Sequence, residues 1–323
     1  MTIKYSALEI AKKISAVDPG FRVPTAEQIP IIESPLAPAV VIAGAGSGKT
    51  ETMSNRVLYL VANGYATPDQ ILGLTFTRKA AGELSVRIRK RLRQLSQLPE
   101  FGHITSTSTA VTTYHSYAGK LLSEHAIRYG IDADAEPLGE AAIWQIASDV
   151  VRNWSDDSYR NDSAVSTVIK DLLGLSKLML EHQVKASDIE AIGNEMLEKL
   201  QLLAGSTNED TRAVARAMRQ RNSLLPMVEA FMERRKAAGE LSFDDQMSLA
   251  ADIAQNFEDV GTLERGKYKV VLLDEYQDTS QSQVRMLSAL YGNFVSETGH
   301  PVMAVGDPSQ ALYTWRGASA GTM

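Results

Sequence analysis

The sequence predicts an α/β fold in which a parallel sheet is interrupted by an inserted, mainly helical subdomain. Three observations predict it. Short apolar, β-branched runs recur at Ala39–Ile42, Ile71–Phe76, Lys269–Leu273 and Pro301–Val305, bounded by turn residues. Helical periodicities separate those runs. Between about Ser116 and Gly239, patterns such as AAIWQIASDVVRNW, STVIKDLLGLSKLML and PMVEAFMERRKAAG succeed one another with no strand between them. Strands before and after such a helical block imply one sheet carrying an insertion.

Composition narrows the function classes. At 323 residues and 44% apolar content, the chain is long enough for roughly two domains with real cores. It has no run of about 18 apolar residues and no secretory h-region, which predicts a soluble protein with no membrane partner. The absence of cysteine excludes a disulfide framework, a thiolate zinc site and a cysteine nucleophile, and suits a cytoplasmic location. Five scattered histidines give no metal-ligand spacing. A net charge of −6 argues against a uniformly basic nucleic-acid binder. Between Arg78 and Arg93, however, seven Lys and Arg residues stand against Glu83 alone, a local charge of +6.

The elements follow in order. Residues 1–35 read as an amphipathic helix, a connection through Asp18-Pro19-Gly20, and a second helix opened by Thr25. Ala39–Ile42 lacks polar alternation and is expected to be buried on both faces. A helix runs from Thr50 to about Ala62 and closes at Gly64, and the strand Ile71–Phe76 leads to a helix with Leu84, Ile88, Leu92 and Leu95 inward. A third strand-like piece, Ala110–Thr113, precedes the helical block. Beyond Lys269–Leu273, the helical SQSQVRMLSALYG connects to Pro301–Val305.

Three constellations carry chemistry. VVIAGAGSGKT, Val40 to Thr50, ends a strand in a glycine-rich loop that opens a helix, where backbone N–H groups and the helix dipole converge on a phosphate. Gly44, Gly46 and Gly48 can take positive φ. Lys49 would reach the β- and γ-phosphates, and the Thr50 hydroxyl would coordinate Mg²⁺. Ala43 stands where the phosphate-loop pattern has glycine, which is tolerable if it keeps negative φ. In VVLLDEYQDTS, Val270 to Ser280, Asp274 is placed to hold the metal and Glu275 to polarise an attacking water; an acidic strand end capping the next helix is the plainer alternative. In AVGDPSQALYTWRGA, Ala304 to Ala318, Gln310 can sense a γ-phosphate, and Tyr313 and Trp315 share a face able to stack bases, unless both belong to a core. TFTRKAAGEL, Thr75 to Leu84, sets Phe76 beside Arg78 and Lys79, as a groove for nucleic acid would need. The basic helix after it reads as a solvated face with any DNA role indirect. Thr25-Ala26-Glu27-Gln28 fits a capping box.

Taken in this order, the segments resemble the N-terminal motor half of the UvrD/Rep/PcrA family of superfamily 1 DNA helicases, RecB-like and AdnAB-like relatives included. The resemblance covers nearly the whole chain, with specific motifs in residues 21–120 and 241–318. It implies a RecA-like P-loop NTPase sheet: motor domain 1A from residues 1–115 and 236–323, and a helical subdomain 1B at 116–235. It makes Gln28 the adenine-reading glutamine. It assigns Ala43, Gly44, Ala45, Gly46, Ser47, Gly48, Lys49, Thr50 and the following Glu51 to ATP, and Thr50 and Asp274 to Mg²⁺. Glu275 becomes the base, with Gln277 and Asp278 completing that motif. TYHSYAGKLL, Thr113 to Leu122, is similar to the family's Thr-Phe-His-Ser element, so His115 and Ser116 would contact the DNA strand, as would Phe76 and Arg78. SFDD, Ser242 to Asp245, looks like the re-entry into 1A. Gln310 would couple the γ-phosphate to DNA, with Tyr313 and Trp315 stacking bases and Arg316 joining that network.

The implied partners are ATP and single-stranded DNA, or a duplex with a single-stranded tail, with 3′ to 5′ movement. The implied setting is the nucleoid, in DNA repair or recombination. Departures are informative: many members have Asn where Arg78 stands and Asp-Asp where Pro308-Ser309 stand, and Gly-Asp-Pro looks more like the RecB-type branch. The family's later motifs and second motor domain lie beyond Met323, so this piece is expected to hydrolyse ATP weakly by itself. Two rivals stand beside this reading. One is a non-hydrolysing nucleotide sensor or structural subunit of a repair complex, against which the intact Lys49, Thr50, Asp274 and Glu275 count. The other is a small-molecule kinase, which would not need the stacking aromatics.

Overall fold

The computed structural model describes residues 4–130, 138–155, 159, 163–202, 209–237, 243–292 and 299–310. The chain divides into two compact units, Met1–Leu121 with Ala250–Met323, and Leu122–Leu249.

The first unit is built on a five-stranded, wholly parallel sheet of β1 (Ala39–Ile42), β2 (Ile71–Thr75), β3 (Ala110–Thr113), β4 (Val270–Leu273) and β5 (Val302–Gly306). The spatial order is β1-β5-β4-β2-β3, so the two strands that follow the helical block lie between those that precede it. β2 and β4 are buried throughout, as strands covered on both faces must be. α1 (Ala7–Val17), α2 (Gln28–Ile32), α3 (Lys49–Ala62) and α4 (Arg78–Ser96) also belong to this unit. α1 opens with a complete capping box between Ser6 and Glu9, and buries Ile10 and Ile14 against a core that includes Met53, Leu60, Leu84, Leu92 and Leu272. Leu84, Ile88, Leu92 and Leu95 are all buried, the inward face expected from their spacing.

β1 corrects one expectation. Val40 is 57% and Ile42 68% exposed, while Val41 packs on the core. β1 is the edge strand and pairs only with β5 among the described residues. The cover that buries both faces of the central strands does not reach the Val40 and Ile42 face, so an unbroken apolar run does not guarantee two-sided burial there.

α5 (Tyr114–His125) follows β3 directly. The second unit is helical: α6 (Glu140–Arg152), α7 (Val165–His182), α8 (Ala186–Leu202) and α9 (Glu209–Ala237), with no strand among its described residues. Ala147, Leu172, Val228 and Phe231 are fully buried at its centre. α9 continues through Pro226, where the sequence pattern PMVEAFMERRKAAG marked only its second half. Arg235 pairs with Asp245 of α10 (Phe243–Asn256). In the first unit, α11 (Glu258–Lys267) and α12 (Gln281–Leu287) flank β4 in sequence. No helix among the described residues is long and apolar enough to cross a membrane.

Candidate nucleotide and nucleic-acid site

The phosphate loop leaves β1 at Ala43, whose N–H still donates to Gly306 of β5 at 3.0 Å. Gly46 (φ +74°) and Gly48 (φ +85°) take left-handed backbone, whereas Gly44 and Ala43 do not. Alanine is therefore accommodated at the first position without strain. At Gly48 the left-handed φ disfavours a side chain, and an added Cβ would lie 2.8 Å from Gln28 Nε2, which would have to move aside. That amide donates to the Ser47 carbonyl at 3.0 Å, and Gln28 Oε1 accepts from the Thr25 N–H at 3.1 Å. The capping-box glutamine thus ties α2 to the loop. Gly44 to Ser47 are exposed, so their backbone is open to a phosphate, and Lys49 and Thr50 form the first turn of α3. A cleft of about 360 Å³ beside the loop is lined by Gln28, Ile31, Ala43, Ser47 and Lys49 among others. Glu51, in the same turn as Lys49, is drawn away by two arginines of α4: Arg91 Nη2 donates to Oε1 at 2.6 Å and Arg87 Nη1 to Oε2 at 2.9 Å.

The acidic strand end meets this loop. Lys49 Nζ lies 3.6 Å from Glu275 Oε2. Asp274 is buried, and its N–H continues the β4–β2 ladder to the Leu74 carbonyl at 2.8 Å. Burial first, and then the neighbouring Glu275 charge, push its pKa up to about 6. Glu275 adopts φ +50°, ψ +41°. A non-glycine residue held there costs about 1–3 kcal/mol and persists only where its surroundings fix it. Here the fixing groups are Gln277, whose Nε2 donates to Glu275 Oε2 at 2.7 Å, and Lys49. Gln277 Oε1 in turn accepts from the Asp307 N–H at 3.0 Å, and Gln310 Nε2 donates to Asp307 Oδ2. A chain of contacts therefore runs from Lys49 through Glu275, Gln277 and Asp307 to Gln310. The Gln310 amide and the Ser309 N–H hold the Asp307 carboxyl below the usual range.

Of the residues assigned to DNA, Phe76, Arg78, His115 and Ser116 lie at the C-terminal ends of β2 and β3. Phe76 is half-buried edge-on to Tyr114, with ring centroids 5.7 Å apart. Tyr114 is fully buried, and its hydroxyl donates to the Asp274 carbonyl at 3.1 Å, joining the aromatic at this end of the sheet to the acidic pair. Arg78 begins α4, whose N-cap Thr77 accepts from Ala80 N–H. His115 and Ser116 are exposed in the first turn of α5, where the Thr113 hydroxyl donates to Ser116 Oγ at 2.8 Å. Tyr313, Trp315 and Arg316 lie outside the described residues, as do Ser242 and the side chains of Phe243 and Asp244.

Residues 25–323 match the model of the UvrD/REP helicase N-terminal domain. The chain belongs to the UvrD/REP helicase N-terminal domain family. The ATP-dependent DNA helicase UvrD1 of Mycobacterium bovis is 30% identical over 285 residues, covering 88% of this chain and 32% of that protein. The ATP-dependent DNA helicase PcrA of Staphylococcus aureus is 25% identical over 292 residues, covering 90% and 34% respectively. The chain thus spans about a third of the length of the curated relatives it matches. The parallel sheet with its phosphate loop is the RecA-like α/β fold of this family.

Two groups of this UvrD/REP helicase domain were not legible as site residues. Tyr114 stands in TYHSYAGKLL with no role assigned to it from sequence, and its contact with Asp274 spans 160 positions. Asp307 likewise has no role assigned to it in AVGDPSQALYTWRGA, yet it bridges Gln277 and Gln310. The strand-terminal position shared by Asp274 and Asp307, at the C-terminal edge of adjacent parallel strands, is the signal that could have found it.

Proposed function

We propose that this chain supplies the ATP- and single-stranded-DNA-binding part of an ATP-dependent DNA helicase or translocase moving 3′ to 5′. The observation that carries the reading is the approach of Lys49 to Glu275, with Glu275 linked through Gln277 and Asp307 to Gln310. The names of the relatives and the family match support it.

The loop N–H groups and Lys49 would hold the β- and γ-phosphates, and Gln28, which ties α2 to the loop, would turn its amide to the base when nucleotide binds. Mg²⁺ fits the donors present. One hydroxyl, Thr50, and one buried carboxylate, Asp274, make the sparse protein set that this ion completes with phosphate and water, and no larger acidic or histidine cluster exists among the described residues. A cation there would also offset the burial and the neighbouring Glu275 charge that raise the Asp274 pKa. When bound, the ion would offset charge on the phosphate oxygens. Glu275 would accept the proton of the water attacking the γ-phosphorus, while Gln277 holds its carboxylate in place. Gln310 and Asp307 would pass the change at the phosphate towards the base-stacking segment at Tyr313, Trp315 and Arg316. Phe76, Arg78 and His115 would bind the strand, with residues 1–115 and 236–323 as the motor domain and 116–235 as its helical insertion.

The test is unwinding of partial duplexes by the native protein. A duplex with a 3′ single-stranded tail should be opened in the presence of ATP, and one with a 5′ tail should not. Opening of neither, with ATP turnover unaffected by DNA, would sink the reading. Opening of the 5′-tailed substrate alone would reverse the polarity and leave the rest.

A further inference from the structure

We propose that the outward face of α4 is a second DNA contact, a track for the phosphate backbone leading away from Phe76 and Arg78. It rests on the DNA-binding reading above. Lys79, Glu83, Val86, Lys90 and Arg93 recur at intervals of three or four residues and form one stripe. From Lys79 to Arg93 the stripe rises about 21 Å at 1.5 Å per residue. Two open grooves lie along it, of about 790 and about 340 Å³, both lined by Val86 and Lys90. The first also takes in Arg22 and Arg78, and the second Arg89 and Arg93.

The charge on this face is only partly neutralised from within. A solvated helix face commonly carries alternating pairs at four-residue spacing. α4 has one, Lys79 with Glu83 at 4.0 Å. Glu51 is taken by Arg87 and Arg91, and Asp18 lies 3.7 Å from Lys90. Arg22, Arg78, Arg89 and Arg93 have no ion pair among the described residues. Arg91 is buried over the Phe21 ring, 4.0 Å from its centroid, and anchors the helix rather than facing outward. Exposed cations at Lys79, Arg89, Lys90 and Arg93, spread along one straight helix, suit a polymer with regularly repeated negative charge. At about 3.4 Å per phosphate, a strand lying along the stripe presents about six phosphates. An acidic protein would need an apolar centre to its footprint, and Val86 is the single exposed apolar side chain between these cations.

The experiment compares binding of the chain to single-stranded DNA of about 8 and about 24 nucleotides, lengths that lie within and beyond one local site, across a salt series. The variant carries Arg89→Gln, Lys90→Gln and Arg93→Gln. For the longer strand, the slope of log affinity against log salt should fall by about 2, the release of about three strand phosphates. Affinity for the short strand, and for ATP, should stay within about two-fold. A charge-preserving Arg89→Lys, Arg93→Lys variant should keep the wild-type slope, which separates charge from folding. An unchanged slope in the triple glutamine variant, with the short strand still bound, overturns the track alone. Wild-type protein that binds neither length overturns the DNA reading and the track with it. A charge-dependent loss seen with polyglutamate but not with DNA assigns the face to an acidic protein and overturns the proposal.

Discussion

Lys49 Nζ stands 3.6 Å from Glu275 Oε2, so a γ-phosphate bound at the loop would compete with Glu275 for the same ammonium group. Glu275→Gln removes the competitor and the proton acceptor together. ATP should bind the variant as well as the wild type or up to about ten-fold tighter, a difference of about 1.4 kcal/mol. Turnover should fall by about 10²–10⁴-fold, the usual contribution of a general base. Calorimetric titration and phosphate release measure the two effects. Loss of binding in the variant would mean that Glu275 holds the loop rather than the water.

Gly48→Ala should be more damaging than a one-methyl change suggests. The residue sits at φ +85°, and its Cβ would meet Gln28 Nε2 at 2.8 Å. The strain is about 1–3 kcal/mol, and relief by moving Gln28 breaks its hydrogen bond to Ser47. Nucleotide affinity should drop at least ten-fold with a lowered melting temperature. Gly44→Ala, at negative φ with Asp307 Oδ2 at 3.9 Å, should be milder in both assays. Equal effects at the two glycines would contradict this geometry.

Asp274 predicts a pH-dependent gain in stability on its removal. Its pKa rises from 3.8 to about 6 on folding, through burial and the Glu275 charge. As pH rises, the unfolded chain loses this proton first, so native stability declines between about pH 4 and 6 and stays lower above that range. A shift of about two units corresponds to at most about 3 kcal/mol. Asp274→Asn cannot ionise. It should raise the melting temperature at about pH 8 and change it little at about pH 4, while weakening Mg²⁺-dependent turnover. Equal stabilisation at both pH values would contradict the burial of an ionised carboxylate.

Arg56 holds the segment that leads into β1. Its guanidinium is buried and donates to the carbonyls of Ile32 at 2.7 Å, Ser34 at 2.5 Å and Pro35 at 3.1 Å, and burial lowers its pKa to about 10. Arg56→Met leaves three carbonyls without that donor and should cost about 3–5 kcal/mol in urea unfolding. Arg56→Lys should recover only part, because an ammonium lacks the planar fork. A loss below about 1 kcal/mol for Met would show that these carbonyls find water instead.

What the sequence made legible depended on the range over which each feature is determined. The phosphate loop, the strands around it and the inward face of α4 are written locally, in glycine spacing and in the periodicity of Leu84, Ile88, Leu92 and Leu95. The exposure of Val40 and Ile42 depends on β1 lying at the sheet edge, which follows from strand order and not from the strand itself. Arg56 and Arg91 look like any surface arginine in sequence; their burial is decided by carbonyls and a phenyl ring supplied from elsewhere in the fold. Glu51 is assigned to the nucleotide site by the resemblance alone; the pairing of its side chain with Arg87 and Arg91 of α4 depends on residues 36 and 40 positions away.

In the proposed function, this phosphate loop and acidic strand end are coupled to a DNA site. This coupling is tested most directly by ATP hydrolysis of the native protein with and without single-stranded DNA. Stimulation of at least ten-fold, abolished by Lys49→Ala and by Glu275→Gln, is the result this account predicts. Hydrolysis that proceeds at one rate with or without DNA would contradict it.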